Sequence, residues 1–319
     1  IMRYADVQRR LRHGEIVILD GGTGTELEKR GAAMHPDAWC GPASLDNVDL
    51  LERVHLDYMD AGAEIITTNT FASSRMLLRG AGLDHKFDEI NRAAIDAALR
   101  AREKSGRGGT LVGGSLSHMV PLVSGTILPD RSKFPSRMEM SDAFEELAQL
   151  FREEGCDLIV LEMMFDPERM ELAFTAASNS GLPVWAGLSA RGGTDHTLLS
   201  YAQDRDIPFQ EILGVLEDFD VAAAGVMHTG SHLIEQGIEI LKESFTGPLI
   251  AYPDSGYMKK LPNWQFEEII SPEELLGFAR GWVGQGVQIV GGCCGLSPHH
   301  IAALRQLKHL EPQTPALDE

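Results

Sequence analysis

Eight short apolar runs rich in β-branched residues, each followed by a stretch with helical or loop-like spacing, constrain this 319-residue chain more than any other feature. They are EIVILD (15–20), AEIITTN (63–69), TLVGGS (110–115), DLIVLE (157–162), PVWAGLS (183–189), AAAGVMH (222–228), PLIAYPD (248–254) and VQIVGGC (287–293). Runs this short and this apolar suit parallel strands buried on both faces. Between them lie helices with clear signals. FDEINRAAIDAALRAREK sets Ile90, Ala94, Ala97 and Ala98 on one stripe, and SPEELLGFARGW offers Ser271 as N-cap, Pro272 at the first position and Glu274 to complete a capping box. Eight strand-then-helix units predict an α/β fold, a single (β/α)8 TIM barrel in one domain over 1–319 with its core at about 15–305. A doubly wound open sheet is the weaker alternative.

Charge and cysteine usage narrow the functional class. With 47 Asp and Glu against 28 Lys and Arg, the net charge of -19 argues against nucleic-acid or anionic-membrane partners. No stretch approaches the roughly 20 apolar residues of a membrane helix, and the opening IMRYADVQRRLRHGE has no apolar signal-peptide core. Four cysteines, two of them adjacent, make no disulfide framework and point to a reducing, cytoplasmic setting. The irregular stretches 31–47 and 117–137 fall where barrel enzymes keep substrate loops, and 311–319 is expected to fray. Without coiled-coil heptads, the oligomeric state stays open.

In a barrel, chemistry collects at the C-terminal ends of the strands. There the sequence places Asp20, then Thr67, Thr68 and Asn69, then Glu162, Ser189, His228, Asp254, and the pair Cys293 and Cys294. Sulfur and nitrogen donors of this kind are what zinc takes. Adjacent cysteines on a regular strand point apart, so both reach one ion only if the chain turns sharply, which the flanking glycines of GGCCG permit. Two other readings are buried apolar thiols, which suits the lone Cys40 and Cys156, and a strained vicinal disulfide.

DGGTGTELEKRG (20–31), Trp39, HLDYMDAGAEIITTNTF (55–71), the Leu-Glu of the fourth strand, YPDSG (252–256) with Trp264, and GGCCGLSPHHI (291–301) together resemble the homocysteine S-methyltransferase family over about 15–305. That family includes betaine- and S-methylmethionine-homocysteine enzymes and the homocysteine-binding module of cobalamin-dependent methionine synthase. The resemblance implies a zinc-holding barrel in which the homocysteine thiol is activated by the metal and attacks the methyl group of a donor, giving methionine. Carried over, Cys293 and Cys294 match zinc ligands, and Asp20 and Glu162 match the groups that receive the substrate ammonium. The amides of Gly21, Gly22 and Thr23 suit the substrate carboxylate if they form a nest. Asn69 and Trp39 complete the expected substrate-binding set.

The sequence departs from the family where its third cysteine should follow strand six. Here the stretch is GVMHTG, so His228 stands in the cysteine's place and Met227 in that of an asparagine. Imidazole is a good zinc ligand. Two thiolates and a neutral imidazole leave the centre one unit less negative than three thiolates, which predicts tighter holding of a substrate thiolate and lower intrinsic nucleophilicity. His232, four residues on, is expected in the next helix. The partners implied are a small thiol acceptor and a small onium donor, S-methylmethionine first and a betaine next, with Trp39, Phe71, Trp185, Tyr252, Tyr257 and Trp264 as aromatic candidates for the cation. The competing reading is a non-catalytic barrel that binds an amino-acid-like ligand beside a decayed metal site.

Overall fold

The computed structural model describes residues 2–123, 126–260 and 263–309. The barrel strands are β1 (Val17–Ile18), β2 (Ile65–Thr67), β3 (Leu111–Ser117), β4 (Leu158–Met164), β5 (Val184–Leu188), β6 (Ala223–Gly230), β7 (Leu249–Asp254) and β8 (Val287–Val290). Each starts inside one of the eight apolar runs. Their order in the sheet is β1-β8-β7-β6-β5-β4-β3-β2, every neighbouring pair parallel. A parallel bridge between Leu19 and Ile65 then joins β1 to β2, so the sheet closes on itself and the open-sheet alternative fails.

The seam is held partly by a side chain. Glu64 donates its backbone N–H to the Ile18 carbonyl at 2.8 Å, and its Oε1 accepts the Ile18 N–H at 3.1 Å. Arg10 and Lys308 pair with the same carboxylate at 2.7 and 2.6 Å. A short β1 cannot offer a full ladder, and an ion-paired carboxylate supplies the missing acceptor.

Alternation along the strands divides the core in two. Val17, Leu19, Ile65, Leu111, Leu158, Val160, Trp185, Ala223, Met227, Ile250, Tyr252 and Ile289 fill the lumen, while Ile18, Ile66, Val112 and Ile159 pack outward under the helices. The first helix, Met2–Arg12, sends Tyr4, Val7 and Leu11 into the lumen cluster and closes the foot of the barrel, where Trp185 Nε1 donates to the Tyr4 hydroxyl at 3.1 Å. At the other end the same cluster finishes in Cys293 and Cys294.

The helix over Phe87–Lys104 buries Ile90, Ala94, Ala97 and Ala98, and the one over Pro272–Gly284 starts with the expected reciprocal capping box of Ser271 and Glu274. Two hairpins absent from the sequence reading stand on the C-terminal rim: Ala190–Gly192 with Leu198–Ser200 after β5, and Tyr257–Lys260 with Asn263–Glu267 after β7. His232 lies in a 3-10 turn, Ser231–Leu233, just ahead of the helix in which it was expected. The tail 311–319 and the side chains of Tyr257 and Trp264 lie outside the described residues.

Candidate functional site

After β8 the chain folds back within five residues. Gly291 and Gly292 donate to the carbonyls of Ala251 and Asp20, Cys293 to that of Pro253 at 2.7 Å, and Leu296 returns to the Cys293 carbonyl at 3.0 Å. Gly295 takes φ 82, a left-handed conformation that costs other residues, and a Cβ there would stand 2.4 Å from the Ser255 carbonyl oxygen. On the facing loop a Cβ at Gly22 would stand 2.5 Å from the Cys293 carbonyl oxygen. These two glycines let the turn close. Its product is a pair of buried thiols with sulfurs 3.9 Å apart, unlinked and close enough to share one ion.

His228 comes to them from β6 at a bulge, where the register with β7 shifts between Met227 and Gly230 and His228 adopts φ 45. Its Nδ1 lies 3.2 Å from Cys293 Sγ and 3.9 Å from Oδ1 of Asp254. Its Nε2 lies 2.8 Å from Oε2 of Glu162, which arrives from β4. Phe71 stacks on the ring at 5.4 Å and 29°. Met163, next to Glu162, and Trp39 also have positive φ, 58 and 43. Three strained non-glycine residues at one rim mark a site where shape is held against local preference.

One ligand atom from each of His228, Asp254, Cys293 and Cys294 lies within 4.8 Å of the others. Burial opposes a positive charge on His228, but hydrogen bonding to the sulfur of Cys294 and to Glu162, with the charge of Asp254, outweighs it and holds the imidazole well above its ordinary pKa. Cys294 is held down by the hydrogen bond from Cys293 and by His228, while burial and its neighbour push Cys293 up. Sulfur and carboxylate groups thus converge on one small volume around a single basic ring. That donor set fits a borderline-soft divalent cation.

Two spaces meet at this cluster. A recess of about 30 Å³ is lined by Thr23, Thr68, Asn69, Ser115, Glu162 and Cys293 among others. The hydroxyls of Thr23 and Ser115 are buried with no partner among the described residues. A cleft of about 330 Å³ opens outward and is lined mainly by apolar and aromatic side chains, including Met119, Val120, Met163, Phe165 and Tyr201. His228, Cys294, Trp39 and Phe71 line both.

The model of the family described as homocysteine S-methyltransferase matches residues 17–307. The chain belongs to that family. It is 25% identical over 318 residues to homocysteine S-methyltransferase 2 of Arabidopsis thaliana, covering 92% of this chain and 93% of that one. It is 24% identical to a selenocysteine methyltransferase of Astragalus bisulcatus, with coverage of 92% and 93%. The crystal structure of the homocysteine methyltransferase MmuM from Escherichia coli, metallated form, superposes with a TM-score of 0.74 at 22% identity, over 94% of this chain and 99% of that one. The protein is therefore a methyltransferase on a TIM barrel, and the non-catalytic alternative falls away.

Within this methyltransferase the expected site residues separate into two groups. His228, Cys293, Cys294, Glu162, Asn69, Trp39, Gly22 and Thr23 all line the recess. Asp20 does not: it is fully buried, accepting from Thr67 N–H at 2.6 Å, from the Thr67 hydroxyl at 3.1 Å and from the Tyr252 hydroxyl at 3.2 Å, and burial pushes its carboxyl up to about 8. In this structure its carboxyl group is engaged by Thr67 and Tyr252. Of the expected nest of Gly21, Gly22 and Thr23, the Gly22 amide donates to the Leu296 carbonyl at 3.1 Å, and Gly21 does not line the recess. Glu162 meets His228 instead of standing free for an ammonium. Asn69 Nδ2 donates to the Cys40 carbonyl at 2.9 Å and to Ser44 at 3.0 Å, which ties down the loop carrying Trp39. Of the aromatic candidates, Trp185 is a core residue at the barrel foot, while Trp39 and Phe71 stand edge to face at 6.0 Å on the rim. Asp254 at the cluster was not assigned from sequence, although a carboxylate ending β7 shares the mouth with the cysteines.

Proposed function

We propose that this methyltransferase moves a methyl group from a small onium donor, S-methylmethionine or a betaine, to the thiol of homocysteine, using zinc held by His228, Cys293 and Cys294. The observation that carries the reading is that those donors sit where the polar recess and the apolar cleft meet. An amino-acid acceptor suits the recess, with its unpartnered hydroxyls, and an onium donor suits the cleft, whose aromatic walls and Asp254 favour a cation. When bound there, zinc would supply the charge that makes a thiol a thiolate near neutral pH.

The protein's own groups have separate tasks. Glu162 holds the His228 ring so that Nδ1 faces the sulfurs. Phe71 and Trp39 wall off water on the cleft side. In the reaction the acceptor thiol gives up its proton to solvent, a lone pair of the acceptor sulfur bonds to the methyl carbon, and the bond from methyl to the onium atom breaks with its electrons, releasing a neutral sulfide or amine. The eight strands between residues 17 and 290 support reading the chain as one barrel domain. Among the described residues no helix is long and apolar enough to cross a membrane, and the four cysteines are unlinked, as a reducing compartment such as the cytoplasm would keep them.

The test is incubation of zinc-loaded protein with homocysteine and a panel of methyl-labelled S-methylmethionine, glycine betaine and related onium compounds. Selenocysteine serves as a second acceptor, since relatives at 24% identity carry that name. Labelled methionine from one donor supports the reading. Absence of methylated product across the panel rejects it.

A further inference from the structure

We infer that Arg169 binds a carboxylate of the methyl donor, so that the donor is a zwitterion whose onium group reaches the sulfur cluster while its carboxylate is held on the cleft wall. This rests on the donor reading above and names the residue that selects the donor.

Arg169 stands in the first turn of the helix Pro167–Asn179, which follows β4, and lines the same cleft as His228, Asp254 and Cys294. Its side chain is only 5% accessible. The guanidinium carbon lies 5.1 Å from the centre of the Phe165 ring and 6.0 Å from that of Phe134, so two aromatic faces hold it. Nη1 donates to the His118 carbonyl at 3.1 Å, and Nη2 pairs with Asp166 Oδ2 at 3.3 Å. Nε has no hydrogen-bond partner among the described residues. A guanidinium has more N–H groups than these contacts use, and their planar fork suits a carboxylate.

The charges around Arg169 do not cancel. Asp166 Oδ2 is also paired with Arg205, so one carboxylate serves two guanidiniums. Burial opposes ionisation of Asp166, yet the charge of Arg169 leads the interactions that hold its carboxyl down to about 2. Asp204, whose charge also acts on Arg169, is paired with Arg131. His118 adds no charge. Its Nε2 accepts the amides of Phe165 at 2.9 Å and Asp166 at 3.1 Å, which puts the proton on Nδ1, and burial together with Arg169 keeps the ring neutral. A positive charge is therefore left over in a wall made largely of Met119, Val120, Leu122 and Phe165. A buried charge without a counterion is destabilising, and a ligand carboxylate is the counterion that fits. On the other side the cleft presents the Asp254 carboxyl group and the Cys294 sulfur, which favour a cation. A donor with a cationic head and a carboxylate tail matches both parts of the cleft; a bare onium matches one.

Matched donors test it: glycine betaine against choline, and S-methylmethionine against its methyl ester. Each pair shares the onium group and differs in the carboxylate. Zinc-loaded wild type, Arg169→Gln and Arg169→Lys are compared by kcat/KM for methyl transfer to homocysteine from each donor. Arg169→Gln can still donate to the His118 carbonyl but lacks the charge, and Arg169→Lys restores the charge without the fork. In the pair that turns over, wild type is expected to prefer the carboxylate donor by about 100-fold or more. That preference should shrink by about 30-fold or more in Arg169→Gln, mainly through KM, and by less in Arg169→Lys. Damage to the fold lowers both donors of a pair together and leaves their ratio alone. The wild-type preference is read without any variant. Its absence, or an unchanged ratio in Arg169→Gln, overturns the assignment while leaving methyl transfer intact. Wild type that methylates homocysteine from none of these donors rejects the donor reading itself, and this inference with it.

Discussion

Glu162 and His228, from strands separated in the barrel by β5, meet through Oε2 and Nε2 at 2.8 Å, which fixes the other imidazole nitrogen toward Cys293. A carboxylate behind a metal-binding imidazole sets its tautomer and raises its basicity. Glu162→Gln keeps the shape and removes the charge. Zinc affinity should fall by about 10- to 100-fold with little change in the melting temperature of the metal-free protein. Chelator competition and a thermal melt check the two halves.

His228→Ala should lose zinc on dialysis against a chelator that leaves wild type near one equivalent, with methyl transfer lost in proportion. His228→Cys should recover most of the metal, because a thiolate is an equally competent ligand. Metal analysis by mass spectrometry decides it, and unchanged zinc in His228→Ala would remove this residue from the centre.

Gly22→Ala tests the cysteine turn from the opposite side. Its Cβ would stand 2.5 Å from the Cys293 carbonyl oxygen, and backbone on both sides has little room to yield. The expected cost is about 1–3 kcal/mol of stability, together with weakened zinc binding, because the turn that moves is the one that aims both sulfurs. Gly31→Ala is a poor control, since Gly31 has φ 95, whereas Gly277→Ala meets open space in a helix and should be neutral or stabilising.

His55, in the helix Val48–Ala61, is fully buried, and neither ring nitrogen has a hydrogen-bond partner among the described residues. Burial brings its pKa down to about 4. The unfolded chain takes up this proton near pH 6.5 and the folded chain only near 4, so stability present above about 6.5 is lost as the pH falls through that window, on the order of 3 kcal/mol in all. Asp20, pushed up to about 8, has the opposite slope: it is neutral when folded and loses stability as pH rises from about 4 toward 8. Comparing His55→Leu with wild type in metal-free form cancels the Asp20 contribution. The advantage of the variant should grow as the pH drops from 7 to 4.5, and urea midpoints across that range measure it.

Much of this architecture was legible in the residues because a parallel strand buried on both faces leaves an unmistakable apolar run, and DLIVLE or VQIVGG can be little else. Cys293, Cys294 and His228 could be placed at one mouth because each ends such a run. Pairings across the mouth could not be read. Which groups Glu162 and Asp254 meet depends on the register summed around the closed sheet and on the bulge that turns His228 to φ 45. Asp20 was expected to receive the substrate ammonium for the same reason as Glu162, a carboxylate at the end of a strand. Its engagement by Thr67 and Tyr252 is visible only in the folded packing. The rim hairpins escaped notice because strands of three to five residues carry too short a pattern to read.

The helix Met2–Arg12 has a consequence for traffic through the enzyme. With Tyr4, Val7 and Leu11 stoppering its base, the barrel is a blind well rather than a tunnel. Acceptor, donor, methylated product and spent donor must all pass the same lip, so turnover becomes a matter of queueing, and whatever settles deepest has to wait for its neighbour to depart.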